Sequence, residues 1–184
     1  MIIKQALMLG LMASMMSPAL TSRELYGPVK LVRVTMAHYS TGKVRKPMDN
    51  AITYRPHHFM CTLGFEGKGY SSDFVKNFQA IADRLRGQGG DDVVIIVAEA
   101  TDSICGACPH KRDKLCGSDE EKIQRLDAGH AAALGLKAGD QLTWSEAKRR
   151  IAARIDEETF DRICAGCSWK ELGVCLTALR KLKD

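Results

Sequence analysis

Asp92-Val93-Val94-Ile95-Ile96-Val97-Ala98 runs through Glu99-Ala100-Thr101 into Asp102-Ser103-Ile104-Cys105-Gly106-Ala107-Cys108. The first segment is β-branched, apolar and bounded by turn signals, which predicts a buried strand. The second brings two thiols three residues apart, and Cys116 returns after a seven-residue loop. A strand therefore delivers the chain into a cysteine loop.

The loop recurs. Cys164, Cys167 and Cys175 repeat the C-x2-C-x7-C spacing, each 59 residues after its counterpart, and Asp161-Arg-Ile-Cys matches Asp102-Ser-Ile-Cys. Two thiolates on a tight turn reach one ion while backbone N–H groups disperse their charge, and small residues between the cysteines permit the approach. Each triplet is one ligand short of a tetrahedral zinc or an iron–sulfur cluster. The missing groups are available in Arg55-Pro56-His57-His58-Phe59-Met60-Cys61, which holds the seventh cysteine. In the simplest arrangement Cys61 closes one triplet and His57 or His58 the other, with His110 a spare for its own loop. A disulfide framework fits an odd cysteine count poorly. A redox dithiol needs one C-x-x-C, not two with third cysteines. The seven-residue return fits neither the zinc-ribbon nor the ferredoxin pattern, while Pro109 and Ser168, where zinc ribbons carry glycine, favour an iron–sulfur cluster over Zn2+.

Outward from these loops the chain reads as helical. Ser71 or Ser72 caps a stripe of Phe74, Phe78, Ile81 and Leu85 that stops at Gly87-Gln-Gly-Gly90. Ser118-x-x-Glu121 and Thr143-x-x-Glu146 are capping boxes for two further helices. The second of these carries Lys148, Arg149, Arg150 and Arg154 outward and Ile151 and Ile155 inward. A short helix brings Phe160 and Ile163 to the second triplet, and Leu172 to Leu182 closes the chain. The expected class is helix-rich α+β, with a small sheet and two cysteine-rich metal-binding loops. Gly64-x-x-Gly67-x-Gly69 reads as a plain turn, since no Walker pattern accompanies it.

The net charge is +5. Residues 1–50 hold seven basic and two acidic groups, whereas residues 51–184 hold twenty of each. The cysteine-rich domain, residues 51–184, is thus electrically balanced, and no nucleic-acid surface is indicated. Residues 1–50 form an extension holding seven of the eight methionines. Its apolar run from Ala6 to Leu20 is too short and broken for a membrane span. It reads as a disordered tail or mis-annotated start in preference to a weak export signal. The expected location is cytoplasmic, with export the alternative, because thiolate sites assemble poorly in oxidising spaces.

Arg55-Pro-His-His-x-x-Cys61, Gly67-x-Gly-Tyr-Ser71 and the two triplets, the second ending its turn in Cys167-Ser-Trp169, together resemble the DUF1284 family of small bacterial and archaeal proteins. The resemblance spans residues 51–184. It implies iron–sulfur binding and brings no assigned reaction. The leading expectation is a cluster protein with a redox or cluster-transfer partner. A structural zinc module that binds a partner is the alternative. An enzyme using Cys61 with His58, or an open cluster iron, ranks third, because no positioned acid or oxyanion device is visible.

Overall fold

The computed structural model describes residues 51–184, so the readings made for residues 1–50 lie outside the described residues. The fold is helix-rich α+β. Strand β1 (Ile52–Tyr54) leads through a short helix α1 (His58–Leu63) and a long helix α2 (Ser72–Arg86) to β2 (Val94–Val97). A two-stranded hairpin follows, β3 (Lys111–Arg112) and β4 (Leu115–Cys116), and then α3 (Glu120–Leu134). The chain ends with β5 (Gln141–Thr143), α4 (Trp144–Arg154), α5 (Glu157–Ile163) and α6 (Val174–Lys183). The main sheet has the order β1-β2-β5, with β1 parallel and β5 antiparallel to β2. Parallel pairing requires a long crossover, and α1 and α2 form it.

The stripe on α2 is buried at Phe74, Phe78 and Leu85, with Ala82 completing it and Ile81 half-buried at its edge. The Ser71 hydroxyl accepts from the Phe74 N–H at 3.1 Å and caps the helix. Strand β2 is shorter than its apolar run, and its exposure alternates, with Val94 36% exposed and Ile95 and Val97 buried. A three-stranded sheet covers one face well and the other only in part, so the strand shows period two although every residue is apolar. Helix α3 starts one residue later than Ser118-x-x-Glu121 suggested. Asp119 caps it, accepting from Lys122 N, and Glu120 turns inward to Arg55. Thr143 caps α4 through Glu146 N, while the Glu146 carboxylate pairs with Arg149 and Arg150. The basic face of α4 is thus solvated and internally paired. Ile151 and Ile155 are buried beneath it. Among the described residues no helix is long and apolar enough to cross a membrane.

Candidate metal centre

Pro56 and the turn closed by His58 N to Arg55 O, at 2.9 Å, start α1 directly after β1. One helical turn then separates His57 and His58 from Cys61, which puts all three on neighbouring positions of one short helix. The far end of α1 packs on α6. There Gly64 touches the backbone of Cys175: a Cβ at Gly64 would lie 2.7 Å from Cys175 Cα and 2.8 Å from its N. The backbone angles at Gly64, φ −91° and ψ 6°, suit any residue. Space, and not conformation, requires glycine here.

This seam brings Cys61 to the second triplet. Cys61, Cys164, Cys167 and Cys175 line one apolar-walled cavity together with His57 and His130. The Cys164 turn closes with Cys167 N on Cys164 O at 3.1 Å, and the next turn with Lys170 N on Cys167 O. The first triplet repeats both bonds 59 residues earlier, as Cys108 N to Cys105 O and Lys111 N to Cys108 O. The duplicated spacing is therefore a duplicated turn. Gly166 (φ 76°) makes the second copy's left-handed step.

The first triplet is oriented by carboxylates that sequence reading did not single out. Asp102 Oδ2 accepts from Arg55 N and from His58 Nδ1, both at 2.5 Å, and Oδ1 accepts from Ile104 N and Cys105 N. Glu120 accepts from Cys116 N and from Arg55 Nη2. Arg55 Nε reaches Asp127 at 2.6 Å, and Asp127 holds His57 Nδ1 at the same distance. Arg55 is 1% exposed, so it anchors both ends of the first triplet and both histidines from inside the core. Among the described residues, the one group of three or more His, Cys, Asp or Glu side chains with all donor atoms within 4.8 Å is His58, Asp102 and Cys105. Its composition suits a metal ion. Asp102 already accepts four N–H bonds, which makes it the orienting carboxylate of the group.

All three imidazoles of this region have Nδ1 engaged. His57 and His58 use Asp127 and Asp102, and His130 uses Leu126 O at 2.7 Å, leaving its Nε2 3.6 Å from Cys164 Sγ. Tyr70 lies between the two cysteine loops. Its ring sits 4.9 Å from His110 and 5.5 Å from Trp169, residues that occupy the same position in the two copies. Cys108 and Cys116 neighbour one another electrostatically, as do Cys61 and the second triplet.

Burial, reinforced by Cys175, Cys167 and Cys164, pushes the Cys61 thiol well above its ordinary value. Burial also takes Cys105 and Cys164 up to about 12 and Cys175 to about 11. Without a metal these thiols stay protonated at neutral pH, the reverse of an activated nucleophile. Binding an ion must release their protons, so affinity rises with pH.

The buried acid–base groups also set an acid limit on the metal-free fold. Burial lowers His130 to about 4, and burial followed by the neighbouring His58 lowers His57. The unfolded chain then takes up protons near 6.5 before the folded one does, so stability falls as pH drops from about 6.5 towards about 4. Burial would raise Asp102, but the charge and hydrogen bond of His58 and the N–H bonds of Arg55 and Cys105 hold it at about 2. A depressed carboxyl contributes above its unfolded value, and that contribution is lost between about pH 4 and about 2. Unfolding free energies of the reduced, metal-free protein from urea titration should decline in these two windows, the first by up to about 3 kcal/mol for His130. A free energy unchanged between about pH 7 and about 4.5 would contradict the burial of neutral imidazole.

Fold and site define a small cysteine-rich α+β protein with a His/Asp/Cys group of metal-ligand composition. A family profile described as a protein of unknown function, DUF1284, matches residues 69–173, and the chain belongs to this family. The matched stretch holds Tyr70, the whole first triplet, Cys164 and Cys167. Arg55 to Cys61 lie ahead of it and Cys175 follows it. No curated protein and no solved structure matches the chain.

Proposed function

We propose that the protein binds two thiolate centres, iron–sulfur in kind, and serves in electron or cluster transfer within a reducing compartment such as the cytoplasm. The observation that carries this reading is the shared cavity of Cys61, Cys164, Cys167 and Cys175, with four thiols against apolar walls. These four close one centre. Cys105, Cys108 and Cys116 with His58 make the other, with Asp102 holding the imidazole through Nδ1. The donor chemistry fits: thiolates and a carboxylate-oriented histidine are ligands of both clusters and zinc.

Pro109 and Ser168 stand where a zinc ribbon carries glycine, and this favours the cluster over zinc.

Anaerobic purification followed by iron, sulfide and zinc analysis tests the proposal. A brown protein with iron and sulfide at two centres is expected. Cys61→Ser should remove the metal of one centre and His58→Ala should weaken the other. A colourless protein holding zinc overturns the cluster, and retention of full metal by both variants overturns the ligand sets.

A further inference from the structure

The described residues leave four large hydrophobic side chains exposed, and three of them lie on or beside the two cysteine loops. Leu115 (54%) ends the hairpin beside Cys116, Leu172 (44%) lies between Cys167 and Cys175, and Tyr70 (50%) stands between the loops. Backbone bonds and ring contacts link the loops that carry them. Gly117 N bonds His110 O at the hairpin base, His110 and Trp169 both touch the Tyr70 ring, and Leu172 N bonds Trp169 O. Exposed apolar groups concentrated at one place mark an interaction site more often than scattered ones do.

The hairpin adds net positive charge, three cations against one carboxylate. Lys111, Arg112 and Lys114 are exposed around the turn residue Asp113. Among the described residues none of the three has a carboxylate partner; Arg112 donates only to the carbonyls of Pro109 and Lys111. Several cations elsewhere are paired, as Lys148 with Asp91, Arg150 with Glu146 and Arg180 with Glu157. An apolar centre with a cationic edge is the anatomy of a steered protein interface.

We infer that the two cysteine loops and the β3–β4 hairpin form the docking surface for an acidic electron-carrier protein. The inference rests on the electron-transfer reading above and names its partner. Aliphatic Leu115 and Leu172 favour a protein over a nucleic acid. A partner seated here approaches Cys108, Cys116 and Cys167, which are only part-buried.

The test uses the full chain and two acidic probes, a bacterial ferredoxin and a flavodoxin, with affinity measured by calorimetry. Binding to at least one is expected. It should weaken about tenfold between about 50 mM and about 300 mM salt, and about tenfold again in Lys111→Glu/Arg112→Glu/Lys114→Glu. Leu115→Ser should weaken it with the salt dependence unchanged. Lys148→Glu, on a remote ion pair, should leave it as it was. Metal content is counted on every variant, so failure of the iron–sulfur reading shows there and leaves the affinity comparison standing. No binding to either probe, indifference to charge reversal at unchanged metal content, or tighter binding of a single-stranded oligonucleotide overturns the assignment.

Discussion

Arg55→Met lowers the stability of the metal-free domain by about 3–5 kcal/mol, measured by urea unfolding at neutral pH. The expectation follows from what is left behind. Arg55 is sealed in the core, and its guanidinium pairs with Glu120 at 3.1 Å and with Asp127 at 2.6 Å. Removing the cation leaves Asp127 and Glu120, 15% and 21% exposed, without their counter-charge, and the remaining charges cost more than the pair contributed. The damage reaches the thiols through the same network, because Glu120 holds the Cys116 amide and Asp127 the His57 ring. Neutralising all three groups together, as Arg55→Met with Glu120→Gln and Asp127→Asn, should restore part of the loss. A cost below about 1 kcal/mol for the single change would mean that the carboxylates are served by water, as at a surface pair.

On the two-centre proposal, Gly64→Val should remove metal from the centre proposed for Cys61 and the second triplet. The new side chain would be driven into the Cα and N of Cys175, atoms that cannot swing aside as a flexible side chain does. Overpacking of this kind costs about 1–3 kcal/mol. The larger consequence is geometric: α1 and α6 must part, and Cys61 and Cys175 move with them. Metal analysis of the variant should show one centre lost and the other kept. Gly64→Ala should act in the same direction more weakly. Full metal content in Gly64→Val would show that the seam can open without disturbing its ligands.

The long helices were legible because each announces itself locally. Ser71 and the Phe74, Phe78, Leu85 stripe specify α2 without help from distant residues, and Thr143 does the same for α4. The cysteine repeat was legible for a similar reason, since a turn that brings two thiols together is written within four residues. The carboxylates were hidden. Asp127 sits 72 residues from Arg55 and Glu120 sits 65 away, and only the folded core makes them partners. His130 looks in sequence like one more polar residue on α3, yet it faces Cys164. Asp102 gave one readable sign, its place three residues before Cys105, repeated by Asp161 before Cys164. The repeat misleads there, because Asp161 lies on the surface and pairs with Lys170. Strand β1 and helix α1 are three and six residues long, too short for periodicity to reveal, and tertiary contacts stabilise both.

The packing of α1 on α6 joins segments more than a hundred residues apart along the chain. An inorganic centre gripping Cys61 and Cys175 would therefore work as a clasp across almost the whole domain. Tying distant points subtracts conformational freedom from the unfolded chain, by an amount that grows with the logarithm of the enclosed length. The loaded protein would lose the option of fraying its last helix while keeping the sheet, and the empty one would retain it. Occupancy is then written into the cooperativity of the fold, so a cell's proteases could sense whether the protein has been filled.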